Sequence, residues 1–227
     1  MAAEPLPAPL PPETRTVGQL VAESIRLYGR RFGAALPLGL VVAAADVLGP
    51  EVSGAVRVLI LVLFAPLFTL AYARATTLVL DIAPPARDWA RALVAGTLAF
   101  VPAAAFFPWF AIAAVAWLAL VGLVVPVAIA ERIGIAASFR RAVRLARADY
   151  VHAAGSLATL VILFAVTRLL LALLLNAQAD NTVRAAVGIS DVVISPLLFL
   201  GAAMLYVDQA ARLDARERER SGARAVR

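Results

Sequence analysis

Apolar residues run in long unbroken blocks along this chain, with the charged residues gathered between them. The longest block, 92–130, holds no charged residue over 39 positions and carries Phe106-Phe107-Pro108-Trp109 near its middle. As one helix it would measure roughly 58 Å at 1.5 Å per residue, about twice the ~30 Å hydrocarbon core of a bilayer. The pattern predicts two membrane-spanning helices joined by an aromatic-marked turn. Six apolar segments are expected in all, at about 33–49, 56–80, 90–107, 109–130, 151–176 and 186–208. They do not alternate, which excludes barrel strands, and backbone left unpaired in lipid costs several kcal/mol per group. The expected fold is an all-α membrane protein, a six-transmembrane-helix bundle.

Two further segments show helical periodicity outside the blocks. Thr16 followed by Gln19 fits a capping box. Beyond it Val17, Leu20, Val21, Ile25 and Tyr28 gather on one side, with Gln19, Glu23, Arg26 and Arg30 on the other. From Ile135 to Tyr150, residues Ile135, Phe139, Ala142, Val143, Ala146 and Tyr150 share an arc of about 100°, with Arg140, Arg144 and Arg147 opposite. Each is expected to be an amphipathic interfacial helix on the cytoplasmic face. Ile25-Arg26-Leu27 aligns with Val143-Arg144-Leu145, and the Pro66 segment with the Pro196 segment, so a parallel internal repeat is one reading and chance matching the other.

Charge placement changes the picture more than composition does. With six spans, seventeen arginines fall on one side, against Arg57 and Arg184 on the other, while Arg74 and Arg168 lie within spans. That asymmetry predicts cytoplasmic N- and C-termini in a bacterial inner membrane. The composition agrees: 63% hydrophobic, 16% charged, mean hydropathy +0.88, where a soluble domain carries about a quarter charged residues. All 21 basic residues are arginine, there is no cysteine, and His152 is the one histidine. Disulfides, thiolate chemistry and a histidine metal centre are thereby excluded, and no cofactor is expected. Residues 1–14, rich in alternating proline, lack the basic and apolar regions of a signal peptide and are expected to form a solvated arm. Residues 15–212 form the expected membrane domain and 213–227 a charged tail.

Three stretches carry a family resemblance. Val21 to Phe32 is similar to an entry helix; Pro126 to Tyr150 combines a span, an acidic residue and an arginine-rich helix; Leu205-Tyr206-Val207-Asp208 with Arg212 closes the pattern. Together they resemble the membrane domain of glycerophosphoryl diester phosphodiesterases and related bacterial multi-pass proteins. In fused members of that family hydrolysis belongs to a separate soluble barrel, for which this chain has neither the length nor, with one histidine, the metal-ligand set. The resemblance therefore implies a stand-alone membrane domain, and no catalytic residue carries over.

Charges within the apolar blocks are the remaining candidates, because charge in lipid is costly and usually paired. Arg168 and Asp191 lie at similar depths in consecutive antiparallel spans and form one expected pair, read either as a register-fixing contact or as the lining of an anion's path. Arg74 and Asp208 form a second, at the cytoplasmic ends, unless Arg74 snorkels to the headgroups. Asp46, Glu51 and Arg57 read as solvated turn charges, and His152 as an interfacial residue. The stripe Arg140, Arg144, Arg147 either anchors topology or binds anionic phospholipid headgroups. Acids interleave the basic tail, so nucleic-acid binding is unsupported. The expected activity is non-enzymatic engagement of the lipid bilayer or a partner; a small transporter or channel using Arg168 and Asp191 is the alternative.

Overall fold

A computed structural model describes residues 11–49, 52–175 and 177–225. Among these every regular element is helical. Glu51, Asn176 and most of the proline-rich arm lie outside the described residues. The arm's end, Pro12–Thr14, is a 3-10 turn packed against the last helix.

Helix α1 (Val17–Arg30) starts at the Thr16/Gln19 capping box and buries Leu20, Ser24, Leu27 and Tyr28. Ile25 is 49% exposed, so the buried stripe is turned slightly from the one the wheel gives. The next apolar segment is broken: α2 (Phe32–Ala35), a 3-10 turn at Leu36–Leu38 and α3 (Gly39–Val47). Pro37 within the turn lacks an N–H and interrupts the ladder there. Phe32–Val47 is consequently short, 16 residues or about 24 Å, less than a hydrocarbon core.

Five longer stretches are apolar enough to cross a membrane: Gly54–Leu80, Ala86–Phe106, Ala111–Ala130, Tyr150–Leu174 and Asn181–Ser221. The first two are α4 and α5, an antiparallel hairpin sealed by Asp81, whose left-handed backbone (φ 53°) caps α4. Gly96 of α5 lies where any side chain would collide with Thr69 and Val125, so α4 and α5 approach closely. The chain reverses after Phe106, with Phe107, Trp109 and Phe110 exposed at the bend. The third stretch divides into α6 (Ala111–Val121) and α7 (Val124–Ala130), because Pro126 cannot donate to the Gly122 carbonyl. Helix α8 (Ile135–Ala148) follows, and α9 (Tyr150–Leu174) is the fourth stretch, with Leu163, Val166, Leu170 and Leu174 exposed along one side.

The fifth stretch is likewise two helices, α10 (Asp180–Ile194) and α11 (Pro196–Ala225). Pro196 again removes the donor that the Val192 carbonyl would have used. That carbonyl faces Gly39, where an added Cβ would overlap it, so α3 and α10 pack backbone to backbone. The Tyr28 hydroxyl closes the same break by donating to the Val193 carbonyl at 2.7 Å. Burial pushes the Tyr28 pKa above its ordinary value. Pro66, by contrast, sits inside a continuous α4. Its counterpart in the suggested repeat, Pro196, begins a helix, so the two prolines shape their segments differently.

Helix α8 does not lie apart on the bundle surface. Ser138, Ala142, Leu145 and Ala146 are fully buried as it packs on α6, α7 and α11. Leu145 joins Ile129, Val124, Leu200 and Leu205 at the centre of the apolar core.

Candidate functional site

Three polar constellations stand out against this apolar frame. In the first, Arg168 of α9 directs Nη2 to Asp46 Oδ2 at 2.6 Å and brings Nε within 3.3 Å of Asp191 Oδ1. The structure thus brings together Arg168 and Asp191, and it adds Asp46, which is paired here rather than simply solvated. Asp191 is fully buried, and neither of its carboxylate oxygens receives a hydrogen bond among the described residues. The Phe164 ring lies 5.5 Å from the Arg168 guanidinium, adding a cation–π contact. Three apolar helices converge on one cation and two anions, an arrangement that fixes their relative depth.

The second constellation ties the two ends of the chain. Arg15, just before α1, donates to Asp208 of α11 at 2.6 Å, with side-chain exposures of 11% and 0%. Arg212, one turn on, donates to Asp149 at 2.8 Å and to the Arg15 carbonyl at 2.6 Å. Gln209 donates to the Asp149 carbonyl, and His152 approaches the second Asp208 oxygen to 3.7 Å. The His152 side chain is buried against this cluster, 8% exposed. The structure does not bring Arg74 to Asp208: Arg74 is exposed and donates to Thr77 within its own helix. Arg15 takes that position because the arm folds back along α11, a contact across 193 residues that no local pattern announces.

Nearby, Glu131 accepts from Arg141 at 3.0 Å and from the Tyr206 hydroxyl at 3.3 Å. Asp88 likewise receives Arg91 at 3.1 Å. Arginines on most elements thus end on a carboxylate.

In the third constellation no arginine meets a carboxylate among the described residues. Arg140, Arg144 and Arg147 project from the exposed side of α8 into an open groove of about 360 Å³. The facing wall is α11, which supplies Arg216, Glu217 and Arg220. Val143 and Leu213 contribute apolar surface. None of the five arginines makes a hydrogen bond or ion pair among the described residues, although Arg141, beside Arg140 in sequence, does. Five guanidinium groups face one carboxylate. Such a site attracts anions, and planar guanidinium groups match the paired oxygens of phosphate. The stripe on α8 is legible by helical spacing; the α11 wall is not, because its alternating charges read as an ordinary solvated helix.

Among the described residues no group of three or more histidine, cysteine or acidic side chains is placed to hold a metal ion. Compared with protein-family models, with curated proteins and with solved structures, the chain finds no significant match.

Proposed function

We propose that this is a non-enzymatic multi-pass membrane protein that engages anionic phospholipid headgroups through the groove between α8 and α11. One observation carries the reading: five unpartnered arginines from two helices line one groove, while most other arginines are paired. Like charges gathered without counter-charges repel, and the arrangement is relieved by an anion. A bilayer's negative cytoplasmic leaflet supplies one, at about 1 kcal/mol per arginine.

The accompanying topology is six crossings with both termini cytoplasmic, as the arginine distribution suggests. Ion pairing supports an even number. Arg31, before α2, meets Asp81, after α4, and Arg15 meets Asp208 near the start of the charged tail. The chain therefore leaves and returns to one end of the bundle, with the short Phe32–Val47 segment as the first crossing. The interruption at Leu36–Leu38 and its packing on α10 suit a segment shielded by protein. A stand-alone domain of the type resembled by the phosphodiesterase membrane region is consistent with this account. The transport alternative draws on the cluster of part-exposed Arg168 and Asp46 with buried Asp191.

The test is lipid-resolved mass spectrometry of the purified protein against a variant with Arg140→Gln, Arg144→Gln and Arg147→Gln. Wild type is expected to retain acidic lipids that the variant loses. Equal retention by the two proteins removes the headgroup reading.

A further inference from the structure

The α8 row runs from Arg140 to Arg147, seven residues or about 10 Å along the axis. A single phosphate group is satisfied by guanidinium groups gathered within about one helical turn, ~5.4 Å. The row is therefore about twice as long as one phosphate needs. Across the groove Arg216 and Arg220 stand one turn apart on α11, forming a second, shorter donor set. The volume of about 360 Å³ lies near the lower end of the range for small-ligand sites, ~300–1,000 Å³.

Glu217 supplies the remaining clue. Arginine only donates hydrogen bonds, and an ionised carboxylate only accepts them. A ligand consisting of phosphate alone would leave Glu217 facing an anion. A ligand with a hydroxyl between its phosphates gives that carboxylate a donor. The apolar surface from Val143, Ala148 and Leu213 offers contact to the non-polar part of an amphiphile.

Resting on the headgroup reading above, the geometry points to a ligand bearing two phosphate groups joined by a short hydroxyl-carrying linker. The diphosphatidylglycerol headgroup is its lipid form and glycerol 1,3-bisphosphate its free form. One end of the α8 row takes one phosphate, and its other end faces the second. The α11 arginines complete the second, and Glu217 accepts the linker hydroxyl. A single-phosphate lipid engages the α8 row alone.

The test titrates the full-length protein in neutral detergent with diphosphatidylglycerol, and separately with twice the molar amount of phosphatidylglycerol so that total charge is matched. Bound lipid is counted by native mass spectrometry. Wild type is expected to hold diphosphatidylglycerol at least about tenfold more tightly. Arg216→Gln with Arg220→Gln is expected to weaken that binding about 30-fold, two guanidiniums at about a factor of five each, while leaving phosphatidylglycerol binding near wild type. Glu217→Gln is expected to reduce the preference only a few-fold. Equal affinity of wild type for the two lipids overturns the two-phosphate inference and leaves the headgroup reading standing. Binding of neither lipid overturns both. Glycerol 1,3-bisphosphate is the competitor: failure to displace the lipid at equimolar concentration supports the lipid source, and complete displacement overturns it.

Discussion

Arg212 and Arg216 stand one turn apart on α11 and meet opposite surroundings. Arg212 is 17% exposed, donates to Asp149 and to the Arg15 carbonyl, and helps bind the chain's entry to its exit. Arg216 is exposed, has no partner among the described residues and faces three more arginines across a groove. The same residue on the same helix is structural in one place and open to an outside ligand in the other. What separates them is the supply of carboxylates from neighbouring elements. Asp149 and Asp208 serve the first site with two anions, while Glu217 alone serves five cations in the second.

The comparison is broken hardest at the paired end. Asp208→Ala leaves Arg15 buried without its partner, and losing one member of a buried pair costs about 3–5 kcal/mol. Thermal unfolding in detergent is expected to show a large drop, with Arg15 substitutions adding little on top of it. Arg168→Ala is next. Its side chain is 28% exposed, so a loss of about 2–3 kcal/mol is expected as Asp191 is left buried and unpaired. Exchanging the charges, Arg168→Asp with Asp191→Arg, is expected to recover part of the lost protein level but not all, because Asp46 then faces an aspartate. Tyr28→Phe is smaller: it deprives the Val193 carbonyl of its donor beside the α10–α11 break, at about 1–2 kcal/mol. The smallest effect belongs to the unpaired end. Arg216→Gln with Arg220→Gln is expected to shift stability by no more than about 0.5 kcal/mol, since no partner is lost.

Much of this molecule is legible in its sequence because lipid-compatible helices must be apolar throughout. The blocks at 56–80, 90–107 and 151–176 correspond closely to α4, α5 and α9. The aromatic turn after Phe106 and the Thr16/Gln19 capping box are local signals and are found where the residues stand. Interruptions are harder to read. Pro66 continues its helix while Pro196 begins one, and the difference lies in the neighbours: Gly39 and Tyr28 cover the carbonyls near Pro196. Long-range pairing is harder still. Arg168 with Asp191 follows from depth in adjacent spans, but Asp46 lies 122 residues from Arg168 and Arg15 lies 193 from Asp208. Periodicity places the arginine stripe on α8, yet nothing local shows that α11 would bring two more arginines opposite it.

The most direct check on the difference between these two kinds of arginine is a thermal unfolding series with added phosphatidylglycerol. It compares wild type with the variant carrying Arg140→Gln, Arg144→Gln and Arg147→Gln. A ligand that binds the folded state raises its melting temperature with concentration. Wild type is expected to rise with added lipid and to lose the rise at high salt, whereas the variant starts at or above wild type and stays flat. The same lipid-dependent rise in both proteins would contradict the account.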